Sequence, residues 1–158
     1  MTKERKQVYT RRITEANRTQ LITIVYELAM EYMDEAIEAE KKSDLTAFAD
    51  GLRHADACVD DLLKALDMKY DLSENLRELY LYVKKQLICA SGKRDLESLK
   101  EARQIMENLH RAWKQIESKD SSPPEFKNKQ TVYAGLTYGK GTLKESIEGD
   151  TYNRGIQA

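Results

Sequence analysis

The sequence is short of proline, of cysteine and, outside its last quarter, of glycine, and each shortage removes a class of structure. Both prolines, Pro123 and Pro124, and five of the seven glycines fall in residues 119–158. The first three quarters therefore carry almost none of the residues that stop a helix. The two cysteines, Cys58 and Cys89, have neither CxxC spacing nor the pattern of a disulfide framework, and both fall inside helical patterns. They are expected to be small apolar core residues. No apolar run is long enough to span a bilayer and no signal-peptide pattern opens the chain, so the expectation is a cytoplasmic protein without membrane insertion. An excess of one charge is also missing. The 26 Lys and Arg nearly balance the 27 Asp and Glu, which argues against a nucleic-acid partner, whose footprint is a net basic surface. The charge is not evenly spread, however: at the start Lys3, Arg5, Lys6, Arg11, Arg12 and Arg18 face Glu4 and Glu15. A mobile basic arm is the favoured reading of that stretch, and contact with an acidic surface is the sharper one.

What is present is helical periodicity, in four segments. The first runs from Asn17 to about Lys42, with Asn17 and Gln20 at capping-box spacing. Asp44 caps a second that continues to about Asp67. Asp71 and Glu74, again at capping-box spacing, open a third that Gly92 ends, and Asp95 caps a fourth that fades near Ser118. Helices of this size are roughly 30–37 Å long at 1.5 Å per residue. Short connections between helices of equal length favour antiparallel neighbours. The expected fold is an all-α, antiparallel up-down four-helix bundle over residues 17–118, with an N-terminal arm (1–16) and a flexible tail (119–158). The tail segment 132–143, rich in Gly and Tyr, reads as disordered or loosely docked.

The apolar spacing gives candidate core seams. The second pattern offers Leu45, Phe48, Leu52, Ala55, Val59, Leu62 and Leu66; the third offers Leu76, Leu79, Val83, Leu87 and Ala90; the fourth offers Leu99, Ala102, Met106, Leu109, Trp113 and Ile116. Gly51 interrupts the second at a cost of about 1 kcal/mol relative to alanine. A close approach of two helices is one reading of it, and the sequence supplies no stronger one. The first pattern carries a seam (Leu21, Val25, Leu28, Tyr32, Ala36, Ala39) and a second apolar stripe (Ile22, Tyr26, Ala29, Met33, Ile37) about 100° round the helix. Such a helix is either central in its bundle or has a second client. Leu81 and Ile88 repeat the theme on the third, one heptad apart and off its seam.

No catalytic constellation emerges. Glu107-Asn-Leu-His110 is half of a di-iron carboxylate motif, but His54, the only other histidine, has Gly51 at the matching position. No metal or other cofactor is expected. A histidine phosphotransfer bundle remains an alternative through His54 or His110, and so does a dimeric assembly scaffold joined through the first stripe.

Several short runs, in order, resemble the flagellin-specific export chaperones, the FliS family. They are Leu21-Ile-Thr-Ile-Val-Tyr26, Leu62-Leu-Lys-Ala-Leu-Asp67, Asn75-Leu-Arg-Glu-Leu-Tyr-Leu-Tyr82 and Leu109-His-Arg-Ala-Trp113. The similarity covers roughly residues 8–118. Asn17-Arg18 stands where the family has Ser/Thr-Pro, and Leu28 follows Tyr26-Glu27 where a small residue is usual. The resemblance implies a cytosolic holdase, not an enzyme, that binds the C-terminal segment of flagellin and delivers it to the flagellar export gate as a monomer or weak homodimer. It implies a partner-binding set of Tyr9, Ile13, Ile22, Tyr26, Met33, Ile37, Tyr80, Leu81 and Ile88, with Tyr9 and Ile13 on an arm that covers the groove or meets the gate.

Overall fold

The computed structural model describes residues 1–126, and among them there are five α-helices and no strand. They are α1 (Lys3–Glu15), α2 (Arg18–Lys41), α3 (Leu45–Ala65), α4 (Asp71–Lys93) and α5 (Leu96–Glu117). The chain is all-α, with one helix more than the expected four. Lys3–Glu15, read from its charge as a mobile arm, is helical for local reasons. The Thr2 hydroxyl accepts from the Arg5 N–H at 3.2 Å, Glu4 stands in the first turn, and Tyr9 and Ile13, four residues apart, are each only 1 % exposed. The guanidinium groups of Arg5 and Arg12 lie over the Tyr9 ring at 5.1 and 5.5 Å, so part of the basic charge is engaged within α1 itself. Residues 127–158, which include the 132–143 segment, lie outside the described residues.

The caps explain where most helices begin. At α2 the capping box forms: the Gln20 N–H donates to Asn17 Oδ1 and the Asn17 N–H donates to Gln20 Oε1, both at 2.9 Å. Asp44 caps α3 through the Ala47 N–H at 3.0 Å. Asp95 accepts from the N–H groups of Glu97 and Ser98 ahead of α5. The box expected at Asp71 does not form. Tyr70 is the cap residue of α4 and makes no side-chain cap bond, which places Asp71 inside the first turn, where its charge suits the helix dipole. Nor does Gly92 end α4; Arg94 does, in the left-handed conformation (φ 54°), and its guanidinium pairs with Glu40 at 2.6 Å. That ion pair offsets a conformation that non-glycine residues adopt at a cost.

Residues 25–115 form one compact unit, and residues 1–24 with residues 116–126 form another. Within the first, α3 comes close to α2 at Gly51. A Cβ built there would lie 2.9 Å from both Ala36 Cβ and the Tyr32 carbonyl oxygen. Glycine is required by that approach, which supplies the physical account the sequence lacked. Ion pairs in the same unit join Asp34 to Arg103 and Glu40 to Arg94, and Lys84 reaches both Asp56 and Asp60. Along α2 the buried residues include Val25, Tyr26, Ala29, Met33, Ala36 and Ala39. The wide apolar arc of this helix is thus largely consumed by packing. Three residues assigned to core seams, Leu45, Leu79 and Ile116, are instead exposed, because each lies at a helix end or at the margin of the buried face. Among the described residues no helix is long and apolar enough to cross a membrane.

Two predictions follow from these contacts. Gly51→Ala should lower the melting temperature, although alanine is the better helix former by about 1 kcal/mol. The overpacking against backbone atoms of α2, about 1–3 kcal/mol in filled interiors, outweighs that gain; a raised melting temperature by circular dichroism would contradict the close approach. The second concerns pH. Hydrogen bonds from the Ser98 hydroxyl and backbone hold the Asp95 carboxyl below its ordinary value. A carboxyl lowered by folding contributes stability that is complete above the ordinary aspartate value and is lost as pH falls through the lowered one. Asp95→Ala should therefore melt earlier than the parent at neutral pH, with the gap closing on acidification; a gap independent of pH would show that the carboxylate does not carry the cap.

Candidate functional site

The helix α4 has two faces of opposite use. Its inner face follows the spacing Leu76, Tyr80, Val83, Leu87 and Ala90, all buried. Tyr80 meets Tyr26 of α2 through a short hydrogen bond between the two hydroxyls, with ring centroids 6.3 Å apart. Trp113 of α5 lies 6.5 Å from the Tyr26 ring, tilted by 37°. Burial, then the neighbouring Tyr80, raises the Tyr26 phenol above its ordinary value, and burial likewise raises Tyr80. Both remain neutral, and their function is to order the core.

The outer face carries Leu81, Lys84, Lys85 and Ile88, at the i, i+3, i+4, i+7 positions that share one side of a helix. Leu81 is 42 % and Ile88 69 % exposed. The Lys84 ammonium closes one edge, bonded to Asp56 at 2.7 Å and Asp60 at 2.6 Å on α3. Burial alone would lower it, but the bonds to the two carboxylates outweigh burial and hold it above its ordinary value. Leu72, Leu79 and Tyr82 are also exposed on α4, and Met68 and Tyr70 just ahead of it. Chemically this surface offers apolar contact flanked by charge. An aliphatic pair one heptad apart with ammonium groups between suits the apolar face of an amphipathic helix.

The nine residues proposed from the sequence divide by burial. Tyr9, Ile13, Tyr26, Met33 and Tyr80 are at most 1 % exposed and offer no surface to a partner in this conformation. Ile22 and Ile37 are half-buried, and only Leu81 and Ile88 are openly exposed. The structure brings Tyr26 and Tyr80 together; Tyr9, Ile13 and Ile22 belong to the other compact unit.

The remaining candidates are engaged otherwise. His110 Nε2 lies 3.1 Å from Glu27, while Glu107 bonds to Arg103. His54 stacks on the Tyr32 ring at 4.8 Å. Burial, followed by Cys58 and the carboxylates of Glu35 and Glu31, pushes the Tyr32 phenol up to about 12. Cys58 is buried, Cys89 is half-buried, and both are free thiols. Among the described residues no group of three or more His, Cys, Asp or Glu could hold a metal ion.

Sequence reasoning missed two features. The helicity of residues 3–15 was signalled by Thr2 as a cap and by the 9-13-16 spacing of Tyr, Ile and Ala, which the charge obscured. The contact of Tyr26 with Tyr80 and Trp113 joins three helices, and no local pattern announces it.

The chain is similar to known proteins over most of its described length. The family model described as "Flagellar protein FliS" matches residues 1–120. A curated relative, the "Flagellar secretion chaperone FliS" of Salmonella typhimurium (strain LT2), is 30 % identical over 112 residues, which cover 69 % of this chain and 83 % of the relative.

The buried tyrosine pair makes a prediction about stability. Tyr26→Phe should cost about 1–3 kcal/mol in urea denaturation, because it leaves the buried Tyr80 hydroxyl without its hydrogen-bond partner. Adding Tyr80→Phe should recover part of that loss, since removing both partners of a buried bond is cheaper than removing one. Strictly additive losses would show that the two hydroxyls are not coupled.

Proposed function

The chain belongs to the FliS family of flagellar proteins, and on that premise we propose that it is a cytosolic flagellar secretion chaperone that holds the C-terminal segment of flagellin. The observation that carries the finer reading is the aliphatic surface of α4, where Leu81 and Ile88 stand exposed on a helix whose opposite face is fully buried. The work is binding, without chemistry. A client segment that is disordered as a monomer folds against the chaperone as an amphipathic helix, is kept from polymerising early, and is passed to the flagellar export gate. Burying a large aliphatic side chain contributes about 1.5–3 kcal/mol, while ordering a disordered client costs about 2–5 kcal/mol. Several anchors are therefore needed, and the balance leaves a complex that releases without ATP.

Within residues 25–115 the reading includes an up-down antiparallel arrangement of four helices. It is supported by the order of contacts: Glu27 and Asp34 meet His110 and Arg103, and Tyr32 and Ala36 meet His54 and Gly51. In each pairing one helix ascends as the other descends. Leu81 and Ile88 are the proposed direct contacts, with Ile37 a half-buried addition, while Tyr26, Met33 and Tyr80 hold the helices beneath. Ile22 is proposed as a separate contribution from the other compact unit, as are Tyr9 and Ile13 once α1 is displaced. The chaperone acts as a monomer or weak homodimer.

Leu81→Asp and Ile88→Asp should each weaken binding of a labelled flagellin C-terminal peptide by at least tenfold in fluorescence anisotropy while leaving helicity intact. Ile22→Asp tests the contribution of the other unit in the same assay. Undiminished binding by both α4 variants would remove this face from the site.

A further inference from the structure

The connection between α1 and α2 is two residues long, Ala16 and Asn17, so their dihedrals alone set how α1 leaves α2. Both are nearly inaccessible, at 3 % exposure each. Both are also tied to the segment that follows α5. The Glu125 N–H donates to the Ala16 carbonyl at 2.9 Å. Asn17 Nδ2 donates to the carbonyls of Asp120 and Ser122, each at 3.3 Å. One residue along, the Thr19 hydroxyl donates to Asp120 Oδ2 at 2.5 Å. All four bonds lie within one compact unit of the chain.

The segment is shaped for this role before it docks. Asp120 Oδ1 accepts from both the N–H and the hydroxyl of Ser122, a turn that fixes the backbone locally. Hydrogen bonds from Ser122, then from Thr19, hold the Asp120 carboxyl below its ordinary value, so it stays an acceptor. Pro123 and Pro124 follow; they restrict the chain and have no N–H to lose on docking. A segment with so little freedom gives up little entropy when it closes.

Asn17 is suited to the position in a way no other capping residue is. Its Oδ1 caps α2 by accepting from the Gln20 N–H while its Nδ2 holds two carbonyls of the segment. Asp, Ser and Thr can accept as a cap, but none offers an amide NH2 as well.

We infer that residues 120–125 are a strap that locks the Ala16–Asn17 hinge, so that α1 is held in place from the C-terminal side of the helical region. Linkage makes the coupling reciprocal: whatever draws the strap away loosens α1, and whatever displaces α1 weakens the strap.

Asn17→Asp in the full chain separates the two jobs of this side chain. It keeps the cap acceptor and replaces the amide donor with a carboxylate facing two carbonyl oxygens. Hydrogen exchange of α1 amides should accelerate roughly tenfold or more, as loss of two hydrogen bonds implies, and trypsin should cut faster after Lys119. Exchange in α3 and α4 should not change. Thr19→Val, which leaves Asn17 and its cap intact, should move α1 exchange in the same direction by a smaller factor, and it decides the matter if Asn17→Asp perturbs the whole fold. Faster cleavage after Lys119 with unchanged α1 exchange would overturn the lock, as would unchanged exchange and cleavage in both variants.

Discussion

The hydrogen-bonded pair of Tyr26 and Tyr80 is the constraint from which the rest of residues 25–115 follows. Two phenols in a dry interior must find partners, since a buried polar group left alone forfeits its hydration without return. Here the partners are each other, with the Trp113 ring packed 6.5 Å from that of Tyr26. Unlike an aliphatic contact, this one is directional, and it sets which turn of α4 faces which turn of α2. The pairs of Asp34 with Arg103 and Glu40 with Arg94 each have their carboxylate on α2 and their guanidinium outside that helix. Being partly exposed, they add modest energy and more in register than in strength. The consequence for function is geometric. With Tyr80 locked inward, Leu81 is turned about 100° away, and Ile88, one heptad on, shares its side of the helix. The exposed aliphatic face is thus held out by the core.

Much of the fold was legible because it is local. Periodicity located α2 to α5 to within a few residues, and the boxes and caps at Asn17, Asp44 and Asp95 formed as their spacing implied. What failed was also local, and for reasons of competition. Charge masked the apolar i, i+4 pair of Tyr9 and Ile13, so a helix was read as an arm. At the end of α4 a left-handed Arg94, supported by Glu40, took the place expected of Gly92.

The candidate site was less legible, because apolar periodicity does not say which of two stripes a helix buries. Tyr26 and Met33 look like surplus surface until the helices facing them are known; in the structure both are fully buried. Leu81 and Ile88 could be assigned outward from sequence since α4 already had a complete inner seam. The same ambiguity surrounds Asn17. Its capping role is written in the spacing to Gln20, whereas its grip on Asp120 and Ser122 spans more than a hundred residues. A side chain with both a donor and an acceptor at a helix start is a signal worth reading twice.

The proposed chaperone and the proposed strap describe a protein that works by presenting and withholding apolar surface. For the central claim, apolar capture of a flagellin C-terminal segment, the most direct measurement is titration calorimetry of the full chain against that peptide at several temperatures. The account predicts one-to-one binding with a large negative heat-capacity change, the signature of apolar burial coupled to folding. Binding whose enthalpy does not vary with temperature, or no binding at high micromolar peptide, would contradict it.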